Sequence, residues 1–171
     1  MTRQKDDWYP TPHTAIKSLL DVEVFDPVIW EPAAGDGAIS KVLKLACYEV
    51  VSQDLNDYGY CPAGYDFLMA TKREADCLVT NPPFKLAQQF IEHAIGLGVK
   101  KHAWLLRLSF LEGQGRFNEL FDHYPPSRIH VFSKRLTIWK GGSEPAGTGT
   151  TAYAWFVWNS NYNGVPQLGW I

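Results

Sequence analysis

The 171-residue sequence predicts an α/β fold: a mostly parallel central sheet, helices on both of its faces, and an antiparallel final strand. Three observations predict it. Short apolar runs alternate along the chain with amphipathic stretches of helical period, the pattern of a parallel sheet wound with helices. Several of these runs stop abruptly at acidic, glycine or proline residues. The last two runs have no helix between them, so they pair antiparallel.

Taken in order, Thr11–Asp21 reads as a short amphipathic helix, with Pro12 near its first turn and Ala15, Ile16, Leu19 and Leu20 on one face. Val28–Glu31 is a short buried strand. It runs through Pro32-Ala33-Ala34-Gly35-Asp36-Gly37 into a helix over Ala38–Ala46, whose apolar positions are Ile39, Val42, Leu43 and Ala46. Tyr48–Gln53 is the next strand, ending at Asp54. A turn-rich segment with Asp57, Gly59, Pro62 and Gly64 leads to Tyr65-Asp66-Phe67-Leu68, and Ala75–Thr80 is the third strand. A helix over Lys85–Leu97, a strand over Lys101–Leu108 and a helix over Gly115–His123 follow. Arg128–Ser133 and Thr151–Asn159 close the pattern as strands, joined through the glycine-rich Lys140–Thr150.

Composition narrows the function. An apolar fraction of 46% and a charged fraction of 20% are those of a globular protein, and no run approaches the roughly 20 apolar residues of a membrane span. Met1–Asp7 has no apolar segment of signal-peptide type. Cys47, Cys61 and Cys77 show no metal-ligand spacing; Cys47 and Cys77 sit in apolar runs and are expected buried, which fits a reducing, cytoplasmic setting. The net charge of −2 hides an asymmetry. Residues 1–84 carry 7 Lys and Arg against 13 Asp and Glu, whereas residues 85–140 carry 9 against 4. The positive second half suits a polyanionic partner, although solvated charged faces account for it nearly as well.

The chemistry concentrates at strand ends. Asn81-Pro82-Pro83-Phe84 follows the third strand directly. Both prolines fix their own φ and turn the preceding residue away from helical geometry. The Asn81 side-chain oxygen and the Pro82 carbonyl then form a shelf of acceptors beside the Phe84 ring, suited to a planar group bearing an amine. Glu31, at the end of the first strand, opens through Gly35 and Gly37 into a helix, the corner where open α/β sheets bind ligands. An acid there favours a cationic ligand group such as an ammonium. The pattern lacks the third glycine of a dinucleotide fingerprint and the lysine of a phosphate loop. Asp54 lies 17 residues after Gly37, a spacing suited to gripping ribose hydroxyls. Asp66 is placed to accept from an exocyclic amine while Phe67 covers the base, each acid being expected at the end of a successive strand.

Glu31 through Gly37, then Asp54, Asp66-Phe67-Leu68 and Asn81-Pro82-Pro83-Phe84 together resemble the class I S-adenosylmethionine-dependent methyltransferases. More narrowly, they resemble the N6-adenine amino-methyltransferases of DNA, including small phage-type enzymes. Tyr9-Pro10-Thr11-Pro12 is similar to that family's amino-terminal cofactor-contacting motif. The resemblance implies a Rossmann-like class I methyltransferase fold with S-adenosylmethionine as cofactor and no metal. Glu31 would take the cofactor's amino group, with Pro32, Ala33, Gly35 and Gly37 shaping the close approach. Asp54 would hold the ribose, Asp66 and Phe67 the adenine, and Tyr9 and Thr11 the methionine end. Asn81, Pro82, Pro83 and Phe84 would be catalytic, Asn81 also touching the cofactor.

The expected partner is DNA, possibly RNA, and a monomer is compatible with the sequence. Because loops after parallel strands share one sheet end, Phe84, Arg116, Lys134, Arg135, Trp139 and Lys140 are expected to meet substrate, with Gly141–Gly149 moving to admit it; Ser109 and Phe110 are further candidates for the pocket wall. The five histidines converge on nothing and are expected to be structural. Unlike many DNA adenine methyltransferases, residues 1–171 read as one domain without a separate target-recognition region. Methylation of RNA, methylation of protein glutamine, and cofactor binding without catalysis are the competing readings.

Overall fold

The computed structural model describes residues 10–138 and 151–171. Tyr9, Trp139, Lys140 and the 141–149 loop lie outside the described residues. Parallel strands carry the first half of the sheet: β1 (Val28–Glu31), β2 (Glu49–Ser52), β3 (Cys77–Thr80) and β4 (Lys101–Arg107). They are followed by β5 (Arg128–Val131), β6 (Tyr153–Asn159) and β7 (Gln167–Trp170), and the spatial order is β2-β1-β3-β4-β6-β5-β7. Strand β6 inserts between β4 and β5 and is antiparallel to both, with Arg107 opposite Tyr153 and Val131 opposite Ala154. It supplies the expected antiparallel pair. Strand β7 is an addition to the predicted pattern and lies parallel to β5 at the sheet edge.

Alternation along each strand separates two cores. On one face, Ile29, Val79, Ala103, Leu105, Trp155 and Val157 meet α1 (His13–Leu20) and α2 (Ala38–Leu45). On the other, Trp30, Leu78, Trp104, Leu106, Phe156 and Trp158 meet α3 (Ala87–Gly96), Phe110 and Leu120. Each fully buried side chain of this size stabilises the fold by roughly 1.5–3 kcal/mol relative to exposure. The indole N–H groups are satisfied within these layers. Trp155 Nε1 donates to the Ala15 carbonyl at 2.9 Å and Trp158 Nε1 to the Tyr124 carbonyl at 2.8 Å. Two histidines serve the structure: His102 is buried, accepts from Trp104 Nε1 at 2.6 Å and stacks on Trp158, and desolvation lowers its pKa to about 3. His130 bonds to Glu23.

Four expectations change. The helix foreseen over 115–123 is one short turn, α4 (Gln114–Arg116), running into a π turn over Phe117–Phe121. The helix after Asn81 starts with a 3₁₀ turn, Phe84–Leu86, and becomes α-helical only at Ala87. Asp66 does not follow a strand: it caps a 3₁₀ turn, Phe67–Met69, within the β2–β3 connection. Cys47 is exposed, not buried; it adopts φ +67° where the chain leaves α2, a left-handed stop that turns its side chain outward, whereas Cys77 is buried as expected.

Candidate active site

The chain passes from β1 outward to β2 and returns past β1 to β3, so the strand order reverses between β1 and β3. Open α/β sheets bind ligands in the crevice at that reversal. Glu31 ends β1 on one side of it and Asn81 follows β3 on the other. Two contacts join the sides. Thr80 Oγ1 donates to the Ala33 carbonyl at 3.4 Å, and Asn81 Nδ2 donates to Thr11 Oγ1 at 3.1 Å. With Nδ2 turned to the Thr11 hydroxyl, Oδ1 is the acceptor end of the amide. The same bond also brings Thr11 of the amino-terminal motif onto the Asn-Pro-Pro-Phe shelf, a contact the sequence did not foresee.

The acidic corner is built around a buried carboxyl. Glu31 is 1% exposed, and its Oε2 accepts from the Ser40 hydroxyl, which itself lies 2.7 Å from the Ser52 hydroxyl. Burial pushes the Glu31 carboxyl well above the ordinary carboxylate range; the bond from Ser40 opposes this, and Asp54 and Asp36 add repulsion. Ser40 and Ser52 were not singled out in the sequence. Ser40 carried a signal, a small polar residue among Ile39, Val42 and Leu43 on the buried face of α2.

Asp54 is also buried. Its Oδ2 accepts from Gly35 N–H and its Oδ1 from Asn56 N–H, both at 2.8 Å, so it ties the exit of β2 to the glycine turn. Gly35 and Gly37 have φ of +54° and +78°. At Gly37 a Cβ would stand 2.5 Å from the Tyr60 ring, so the glycine is needed both for its backbone conformation and for that close approach. Tyr60 is held there by Lys41 and Lys44, 5.2 and 5.3 Å from its ring centroid, and by a 3.0 Å bond from Lys44 Nζ to its hydroxyl. The connection after Asp54 thus folds back over the turn. Burial, and after it the charges of Asp54 and Glu31, pushes the Cys61 thiol up.

Asp66 and Phe67 are arranged differently from the expectation. Asp66 is exposed and accepts from Leu68 N–H at 3.0 Å. The Phe67 ring does not lie open to a base: it is 1% exposed and packed against Trp30, Phe90 and His93, with centroids 5.1, 4.8 and 5.2 Å away. Its aromatic bulk went to the core because the turn it starts sits directly over α3.

Beyond Asn81, Pro82 is buried and Pro83 half-buried, and Phe84 stands at the mouth of a cavity of about 400 Å3. Leu106, Ser109 and Phe110 line it together with the cations Lys85, Arg107 and Arg116. Arg116 is built into the wall: Nη1 donates to the Phe110 carbonyl at 2.7 Å and to the Glu112 carbonyl at 2.5 Å, and the guanidinium stacks on Phe110 at 4.2 Å. Lys134 and Arg135 are exposed just after β5, at the same sheet end as the shelf. Arg107, not foreseen, lies 4.7 Å over the Phe84 ring. The sequence signal was there, a cation closing the apolar run of β4 beside the shelf.

These features define a Rossmann-like methyltransferase fold, with an acidic cofactor-type corner and an acceptor shelf on opposite lips of one crevice. No protein-family model and no curated protein sequence matches the chain. Solved structures do. A Pyrococcus horikoshii protein assigned as an RNA methyltransferase superposes with a TM-score of 0.67 at 16% identity, over 90% of this chain and 86% of that one. The modification subunit of a protein from Vibrio vulnificus YJ016, assigned as a type I restriction enzyme, gives 0.61 at 12% identity over 94% of this chain, which spans 45% of that subunit. Magnesium protoporphyrin IX methyltransferase from Synechocystis, solved with bound S-adenosylmethionine, gives 0.55 at 13% identity over 86% of this chain and 79% of that one. What is shared is the fold.

Proposed function

We propose that this chain transfers the methyl group of S-adenosylmethionine to the N6 amino group of adenine in DNA. The observation that carries the reading is the junction of the two lips. Thr11 touches Asn81, and Thr80 touches the glycine turn, so a cofactor lying along the corner meets the shelf.

The residues present fit the cofactor. A carboxyl buried to 1%, bonded to a hydroxyl and repelled by two neighbouring acids, is a poor structural element and a good partner for an ammonium. Gly35, with its positive φ, turns the backbone sharply at the corner, while the space beside Gly37 is taken by the Tyr60 ring. Asp54 keeps lone pairs for ribose hydroxyls, since each oxygen has taken one backbone N–H. The bound cofactor supplies an electrophilic methyl group. This chain's part is to prepare the nucleophile. An adenine amine is weak because its lone pair is delocalised into the ring. Hydrogen bonds from its two N–H groups to Asn81 Oδ1 and the Pro82 carbonyl favour a more tetrahedral nitrogen and stabilise the positive charge that develops there. Phe84 holds the base, which in duplex DNA has to leave the stack. Lys134 and Arg135, with Trp139 and Lys140, supply contacts to the rest of the strand.

Labelled-methyl transfer to unmethylated duplex DNA, single-stranded DNA and RNA tests the reading. Label in either DNA substrate in preference to RNA is the expected result. Label in RNA alone would replace DNA with RNA as substrate, and label in neither would overturn the reading.

A further inference from the structure

We infer that Arg107 is an exchanging residue of the target pocket: its guanidinium fills the stacking place over Phe84, and an incoming nucleobase displaces it onto a phosphate of the same strand. The inference rests on the reading of the shelf as an amine-methylating site and names the substrate class that the adjoining cavity takes, a nucleotide carried in a polyanionic strand.

The geometry leaves no room for both groups. A base held between the ring and a guanidinium needs about 3.5 Å on either side, roughly 7 Å in all. The guanidinium carbon stands only 4.7 Å from the ring centroid. Arg107 is exposed and ends β4, so its side chain can swing outward without disturbing the sheet. The exchange is favourable. A cation over an exposed ring contributes about two- to fivefold in affinity, whereas a base stacked on an aromatic ring contributes from about fivefold to more than a hundredfold.

The charge around the cavity says where the guanidinium goes. Lys85, Arg107 and Arg116 line it together with no acidic residue, and among the described residues none of the three makes an ion pair. By contrast, four cations elsewhere are held in ion pairs: Arg73 and Lys100 by Asp76, Lys101 and Arg128 by Glu23. Three uncompensated cations beside aromatic rings are complementary to base and phosphate together. At about 400 Å3 the cavity is near the small end of ligand pockets, which span roughly 300–1,000 Å3, and suits one nucleotide.

Two ligands separate the two halves of the exchange: adenosine, which has a base and no phosphate, and a fluorescent single-stranded oligodeoxynucleotide with one adenine, followed by anisotropy across a salt series. Arg107→Ala is expected to bind adenosine about two- to fivefold more tightly, because nothing has to leave Phe84. The same variant binds the oligonucleotide more weakly, and its slope of log affinity against log salt is shallower by about 0.7, one phosphate contact fewer on a single strand. Arg107→Lys, which keeps the cation, keeps the salt slope. If Arg107→Ala weakens both ligands equally, Arg107 is a fixed wall and the inference is overturned. Unchanged binding of both, or tighter binding of both, overturns it as well. These outcomes leave methyl transfer by the wild-type protein standing; only failure of the wild type to bind the oligonucleotide at all would remove both.

Discussion

Glu31 is the residue at which stability and the proposed cofactor binding are linked through one proton. Its carboxyl is raised, chiefly by burial, so the folded protein without ligand holds a proton there that the unfolded chain gives up. The linked contribution to stability is present below the ordinary carboxylate pKa and is lost as pH rises through the raised value. A cationic ligand reverses that preference. Binding of S-adenosylmethionine is therefore expected to release a proton and to strengthen with pH, by up to about tenfold per unit below the raised pKa. Calorimetry in two buffers of different ionisation enthalpy measures the release. Glu31→Gln should weaken binding and flatten its pH dependence, and an unchanged dependence would remove Glu31 from the ammonium site. Among residues, Glu31, Gly35, Gly37, Asp54 and Asn81 were legible because each is a polar or glycine residue breaking an apolar run at a strand end. Phe67 was misplaced for a physical reason: an aromatic side chain beside an acid serves a base or a core equally well, and only the packing against Trp30 and Phe90 decides it. Arg107 and Ser40 needed the neighbouring strand and helix to acquire meaning.

At the scale of elements, β1, β3 and β4 were readable because strands buried on both faces are short continuous apolar runs, whereas β2 at the sheet edge is only partly buried. β1 has the predicted bounds, and β3 begins two residues later than predicted, at Cys77 instead of Ala75. Strand β7 escaped notice because Asn163-Gly164-Val165-Pro166 and Gly169 read as turn material. Its four residues gain their order from pairing with β5, not from any pattern of their own. The connection from Asp54 to Asp66 was read only as turn-rich, whereas it is pinned at its neck by Tyr65 N–H to the Asp54 carbonyl at 3.0 Å and covers the glycine turn through Tyr60. That contact gives a prediction belonging to the element. Gly37→Ala combines a left-handed backbone with a Cβ in the Tyr60 ring, so it should cost about 1–3 kcal/mol in denaturant unfolding and weaken cofactor binding. Adding Tyr60→Ala removes the steric part, and the double variant should be less destabilised than the two single effects added together. Simple additivity would show that the ring does not press on the turn.

The whole molecule divides its charges by purpose. Away from the crevice, Glu23 is 2% exposed in its side chain and gathers Lys101 at 2.6 Å, His130 at 2.9 Å and Arg128. It locks the link between α1 and β1 to the starts of β4 and β5. Burial raises its pKa, but the bonds from His130, Arg128 and Lys101 outweigh that and hold the carboxyl far below its usual range. Its folded pKa being depressed, the stability it contributes is present above the ordinary carboxylate pKa and is lost as pH falls below it. Glu23→Gln should therefore destabilise the protein at neutral pH by about 3 kcal/mol, the low end for a broken buried ion pair because Lys101 and Arg128 are 15% and 21% exposed and can rehydrate. The difference from wild type should shrink in acid, as urea unfolding at pH 7 and pH 3 would register. The charge asymmetry of the sequence gains meaning at this scale too, since the unpaired cations of the second half stand around the cavity beside the shelf. The central claim is that Asn81 and its shelf methylate an adenine amine, and it is tested most directly by digesting DNA after incubation with protein and S-adenosylmethionine and identifying the modified nucleoside by mass. Wild type is expected to yield N6-methyladenine in DNA. Asn81→Ala should yield none while binding the cofactor within a fewfold of wild type, and N6-methyladenine at undiminished levels from that variant would contradict the account.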